Sequence, residues 1–274
     1  MRRKVFFLSV LTIAIFTCLS MRGNVLAPQT GSVIQTTAFD IYRQYLTTHK
    51  IITTSEDSEK EVVDTICYRV INAVKDHYKA KSAAKELEGF SWEVNYIREK
   101  KADAWCFPGG KMAVYSSLLP ITQSHAALAV VVSHEIAHVV LKHGDARMKQ
   151  YLKQFLDKKD LATALTSNPV ETKDFYRMAY VNGDYVGVIR GFDSKDEMEA
   201  DELGTIFCAK AGYHPQEMLV FLERMIWFKN TGRTPEFMLS HPIDEKRIPR
   251  LKEIVDDIAR DYYKPISKKE HINP

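Results

Sequence analysis

Apolar residues recur along this chain with two different periods, and the switches between them mark its elements. From Phe39 to about Lys81, the positions Ile41, Tyr45, Val62, Ile66, Val70 and Val74 keep helical spacing, which predicts two covering helices with a break at Thr53 to Ser58. Phe90, Trp92, Val94 and Tyr96 then alternate as in a half-buried strand. A second β-rich run, Lys111 to Tyr115, follows Pro108-Gly109-Gly110, and the two together predict a small antiparallel sheet. Ser124 to His143 is apolar nearly all round, and a helix without a polar face is central and buried. Gly144 stands where a left-handed C-cap is wanted, with Lys142 and His143 in the last turn beside the negative end of the helix dipole.

The second half reads as helices around one irregular stretch. Ala146 to Thr163 predicts an exposed amphipathic helix. Ser167 to Gly191 keeps no period and carries three glycines, so it reads as irregular, with short strands around Tyr185 to Ile189. Ser194 and Glu197 have capping-box spacing at the head of a helix that Gly212 ends. Pro215 to Phe228 is a further helix, and the last runs from Pro242 to about Tyr263, with Asp244 and Glu245 at its positive end. Pro28 to Thr37 is polar and reads as loose. The fold class is α+β, mainly α, with a small sheet beside a central helix.

The 274 residues, 45% hydrophobic and 27% charged, exclude disordered and disulfide-scaffold classes and suit one core. Residues 1–27 change the picture. Met1 to Lys4 is positive, Val5 to Phe16 is apolar, and Val25-Leu26-Ala27 offers small residues at a cleavage site, so a signal peptide ends at Ala27 and one domain spans 28–274. Two other readings stand beside it. Val5 to Met21 reaches the lower length of an uncleaved membrane anchor, and Cys18 is a lipid-attachment site, although Phe16-Thr17 before it fits poorly. All three place the body outside the cytoplasm, periplasmic or secreted, with membrane association if the N-terminus is retained. Leaving out Arg2, Arg3, Lys4 and Arg22 reduces the 38 basic residues to 34 against 35 acidic ones, which is no footprint for nucleic acid. Cys67, Cys106 and Cys208 remain, an odd number. They read either as one disulfide with a thiol left over or as three buried small hydrophobes.

His134-Glu135-Ile136-Ala137-His138 carries the chemistry. Residues i and i+4 lie about 40° apart round a helix, so both imidazoles project to one point that a single Zn²⁺ can bridge. Glu135 stands one step round, where it can take a proton from an activated water. A hydrolytic zinc site needs a third protein ligand and one open position. His143 does not fit the metzincin spacing and reads as a helix-end cation. Glu197 and Asp201 share a face of the later helix, so one can bind metal while the other accepts an N–H from a ligand histidine; Glu199 points away by about 200°.

These residues resemble the M48 family of zinc metallopeptidases, a gluzincin group that includes the prenyl proteases and the quality-control proteases of mitochondria and the bacterial envelope. His134 to His138, Glu197 to Asp201, Ala104 to Tyr115, and Ser240-His241-Pro242 through Arg247 stand in the family's order. The resemblance implies a zincin-like peptidase with one zinc on His134, His138 and Glu197, with Asp201 behind a ligand histidine. It places His241 and Arg247 near the open metal position, where they stabilise the oxyanion. A protein or peptide substrate is expected to lie along the strand at Gly110, Lys111, Met112 and Ala113, adding its backbone to the sheet. One departure is Asp103, where the family carries Asn; a carboxylate cannot donate the hydrogen bonds of an amide. The expected activity is endopeptidase cleavage of exported or envelope proteins. The competing reading is an envelope chaperone or binding protein whose zinc site is latent, closed by His241.

Overall fold

The computed structural model describes residues 30–53, 57–180, 192–244 and 246–266. In chain order these form α1 (Thr30–Thr48), β1 (Lys50–Ile51), α2 (Glu59–Ala80), β2 (Glu93–Arg98), β3 (Ala104–Phe107), β4 (Lys111–Tyr115), α3 (Leu119–Thr122), α4 (His125–Val140) and α5 (His143–Leu156). The chain continues through α6 (Leu161–Ser167), α7 (Pro169–Tyr180), α8 (Ser194–Lys210), α9 (Gln216–Asn230), α10 (Phe237–Ser240) and α11 (Arg247–Tyr262).

Helix α4 begins where Ser124, in extended backbone, accepts the N–H of Ala127 at 3.0 Å and so caps the first turn. Every residue from Ala127 to Val140 is buried, as all-round apolarity requires, against α8, α2, β3 and α9. Its closest partner is α8, and Gly204 is what allows the approach: a Cβ there would lie 3.1 Å from the backbone of His134. Two helices that close hold their facing side chains in a narrow range of positions, which a metal site needs.

The sheet runs β1-β2-β4-β3. The runs read from sequence as an antiparallel pair do lie side by side, but β2 and β4 are parallel, with Glu93 opposite Lys111 and Ile97 opposite Tyr115. The reason is β3. The chain reverses once to enter it and again through the 108–110 turn, where Gly109 and Gly110 take positive φ, and two reversals restore the original direction. Both faces are covered. Met112 and Val114 join the core with α2, α4 and α8, while Ala113 and Tyr115 join a second core with Trp105, Tyr42 and Tyr176. Tyr42 donates to the Met112 carbonyl at 2.7 Å, which ties α1 to β4.

Several local expectations are corrected. Residues 30–37 are helical, not loose. The left-handed residue after α4 is Lys142, at φ 61°, while Gly144 lies inside α5 because the Tyr180 ring leaves no room for a Cβ, which would come within 2.0 Å. The helix expected over 146–163 breaks at Asp157, which is left-handed, and a new one starts at Leu161, capped by Asp160 on the Thr163 N–H at 2.8 Å. Its face is only partly exposed, since Arg147, Met148 and Leu152 are buried. Pro169–Tyr180 is a helix within the stretch read as irregular. The strands expected around Tyr185 to Ile189, and the leader, fall outside the described residues. The cap of α8 is Asp193, which accepts from Lys195 N and Asp196 N at 2.9 Å, while the Ser194 hydroxyl turns to Asp244. The last helix starts at Arg247 rather than Pro242. Asp244 accepts from Lys246 N at 2.8 Å and Arg247 N at 3.2 Å, which ends the non-helical segment that carries His241. Cys67, Cys106 and Cys208 are buried free thiols. Among the described residues no single helix is long and apolar enough to cross a membrane.

Candidate active site

His134 and His138 project from one face of α4 with their Nε2 atoms 3.0 Å apart. Glu197 comes from the first turn of α8, with Oε1 3.4 Å from His138 Nε2 and Oε2 3.5 Å from His134 Nε2. His241, just after α10, brings Nδ1 to 2.9 Å from Glu197 Oε1 and 3.2 Å from His134 Nε2. All four side chains are buried, and their ligand-type atoms lie within 4.8 Å of one another.

This donor set fits a metal ion. His134 Nε2 has imidazole nitrogens of His138 and His241 at 3.0 and 3.2 Å, and each such pair can share only one proton. Glu197 Oε2 is buried and makes no hydrogen bond, although Arg247 Nη1 lies 2.7 Å away. A divalent cation at the convergence would satisfy His134 Nε2, His138 Nε2 and Glu197 together, with His241 Nδ1 beside it, and imidazole with carboxylate is the donor chemistry of zinc.

Behind the cluster lies a network that fixes it. His134 Nδ1 is 3.0 Å from Asp201 Oδ1. Arg247 holds Asp201 in a two-point clamp, Nε on Oδ2 and Nη2 on Oδ1, both 2.7 Å, and donates Nη1 to the Pro242 carbonyl at 3.1 Å. Burial alone would raise the pKa of Glu197 and Asp201, but His241 and Arg247 beside Glu197, and Arg247 beside Asp201, hold both carboxyls below the usual range. Arg247 is itself buried, and its guanidinium faces carboxylates. Its Nε, Nη1 and Nη2 donate to Asp201 and the Pro242 carbonyl, and the side chain lines a small cavity together with His134, Glu135 and His241. Glu135 is buried at the same centre with Oε1 3.2 Å from His241 Nε2. Burial pushes its carboxyl up to about 7, against the pull of His241 and His134.

The strand expected to take the substrate is not an edge of the sheet. Gly110, Lys111, Met112 and Ala113 belong to, or lead into, an inner strand. From Lys111 to Ala113, β4 is paired on one side with β2 and on the other with β3, so it has no edge to offer. Lys111 is tied to Glu93 at 3.0 Å. The outer strand on this side is β3, which packs on α4 and whose Cys106 lines a small cavity with Glu135 and His138. Asp103, just before β3, is fully buried and accepts the N–H of Ala104 at 2.9 Å.

One residue escaped the sequence reading. His143 is buried, with Nδ1 2.9 Å from His138 Nδ1. Glu199, set aside on angle, is 3.3 Å from His143 Nε2. A helical projection could not find the contact, because five residues along a continuous helix is about 140° round; it arises because left-handed Lys142 breaks the helix between the two histidines.

Comparison with known proteins agrees with this geometry. The profile of Peptidase family M48 matches residues 68–255, well over half of the chain. The chain is 30% identical over 180 residues to the mitochondrial metalloendopeptidase OMA1 of Arabidopsis thaliana, covering 63% of this chain and 33% of that protein. It is 28% identical over 200 residues to the OMA1 of Saccharomyces cerevisiae, with coverage of 69% and 54%. It is 27% identical over 183 residues to the beta-barrel assembly-enhancing protease of Escherichia coli K12, with coverage of 61% and 36%. The chain therefore spans between a third and about half the length of these relatives. With the His-Glu-x-x-His helix, the facing glutamate and the late histidine and arginine in one buried cluster inside the matched region, the chain belongs to peptidase family M48, a family of metal-dependent peptidases.

Proposed function

We propose that this protein is a zinc metalloendopeptidase, with one zinc per chain, that cleaves exported or envelope proteins. The observation that carries the reading is the convergence of His134, His138 and Glu197 with the Glu135 carboxylate beside them. Bound zinc supplies Lewis-acid polarisation of the scissile carbonyl and makes water a nucleophile near neutral pH. Glu135 takes the proton of the attacking water and hands it to the leaving amine. His241, 3.2 Å from Glu135, is placed to donate to the developing oxyanion through Nε2. Asp201 orients His134, and Arg247 locks Asp201 and faces Glu197, which makes Arg247 a positioning residue. The substrate backbone adds to the outer strand β3 rather than to β4. The leader reading supports an exported location, with membrane attachment if the leader is kept. One relative is named a mitochondrial enzyme and another an enhancer of beta-barrel assembly, which is compatible with substrates in or near membranes.

A second reading rests on His241 Nδ1, which stands among the ligand atoms, 2.9 Å from Glu197 Oε1. As a fourth protein ligand it would close the position that hydrolysis needs open and leave a latent or purely binding protein. X-ray absorption at the zinc edge, with cleavage of an unfolded protein followed in parallel, separates the two. The peptidase reading expects two imidazoles and light oxygen ligands in an actively cleaving protein, with His241→Ala slowing cleavage by about 10²-fold. Three imidazoles, no cleavage by wild type and a gain of cleavage in His241→Ala would establish the latent form instead.

A further inference from the structure

The two histidines of α4 are held in parallel ways, and only one of the holders is expected from the sequence. Each turns Nε2 to the centre of the cluster and Nδ1 away from it. Asp201 meets His134 Nδ1 at 3.0 Å, and His143 meets His138 Nδ1 at 2.9 Å. An imidazole that gives Nε2 to a metal carries its proton on Nδ1, so His138 is the donor in this contact and His143 Nδ1 the acceptor. Accepting there leaves the His143 proton on Nε2, and that atom faces Glu199 Oε2 at 3.3 Å and Asp196 Oδ1 at 3.8 Å. One proton arrangement satisfies the whole chain from the metal ligand to the carboxylates of α8. Phe192 stacks on the His138 ring, centroids 4.0 Å apart and planes 25° from parallel. The stack fixes the plane of the ring, and the His143 contact fixes its rotation within that plane.

We infer that His143 is a positioning residue for the metal: it accepts the Nδ1 proton of His138 and passes the hydrogen-bond chain on to the acidic first turns of α8. The inference rests on the proposed zinc site, in which His138 ligates through Nε2. Helix α8 then supplies a ligand in Glu197, the holder of one histidine in Asp201, and the far end of the holder of the other in Glu199 and Asp196. Metal ligands and their supports are set by the packing of α8 on α4.

The test is zinc affinity, measured by chelator competition on the full chain, for wild type, His143→Asn and His143→Leu. Asn and Leu have nearly the same shape, but only Asn keeps an acceptor where Nδ1 stands. His143→Leu is expected to weaken zinc binding about 10- to 100-fold, while His143→Asn stays within about 3-fold of wild type. Thermal unfolding of the metal-free proteins is measured beside it, and the two variants are expected to match there. Equal zinc affinity in Asn and Leu variants overturns the inference, as does a loss in both that follows metal-free stability. Absence of zinc binding by wild type would instead overturn the zinc site on which the inference stands.

Discussion

Glu135→Gln is expected to abolish cleavage of an unfolded protein substrate while the chain keeps its zinc. Glutamine has the shape of glutamate and can still accept from His241 Nε2, which lies 3.2 Å from Glu135 Oε1, so the packing around the cluster is preserved. It cannot take a proton. General-base catalysis contributes about 10²- to 10⁴-fold, so turnover should fall by at least that range with little change in substrate binding. Glu135 is not among the atoms that converge on the metal position, and this is why the variant separates chemistry from metal binding. Cleavage surviving at wild-type rate would require a different base, and loss of zinc would make Glu135 a ligand.

Arg247→Met is expected to have the largest effect on stability. The guanidinium is 3% exposed and clamps Asp201 with two bonds of 2.7 Å while facing Glu197 at the same distance. Removing it leaves the buried carboxylates of Asp201 and Glu197 with only histidines and metal to balance them. Breaking one side of such a buried network costs about 3–5 kcal/mol. Denaturant unfolding of the zinc-loaded proteins should show a loss of that size, with zinc affinity lowered because His134 loses its fixed partner. Arg247→Lys keeps a charge but not the planar two-point grip, and should recover only part of the loss. A change below about 1 kcal/mol in Arg247→Met would mean that the clamp is not what orders the site.

How much of this was legible in the sequence follows from the physics of each element. Helix α4 was readable because it is apolar on every side, which leaves it no place except the centre, and because its two histidines share a face by spacing alone. The glutamate and aspartate of α8 were readable for the same reason, but spacing could not say which of them binds metal. The sense of the sheet was not readable. Strand β3 is four residues long and buried on both faces, so it shows no alternation, yet it adds the reversal that makes β2 and β4 parallel and puts β4 inside the sheet. That one strand moved the expected substrate edge. Gly144 looked like a helix cap because glycine serves both turns and close approaches, and here the Tyr180 ring decides which. The His143 contact was hidden by the helix break at Lys142, which a continuous helical projection leaves out, and the Arg247 clamp on Asp201 joins residues 46 apart in sequence, beyond any local window.

One zinc, held by His134, His138 and Glu197 and required by the reaction, underlies the proposed activity, and its presence can be measured. The most direct test is native mass spectrometry of the folded chain, before and after chelation and after zinc is returned, with cleavage measured on the same samples. The expected result is one zinc per wild-type chain, loss of both zinc and cleavage on chelation, recovery of both on addition of one equivalent, and no zinc in His134→Ala or His138→Ala. Cleavage that persists in the metal-free chain, or zinc that remains bound after both histidines are replaced, would contradict it.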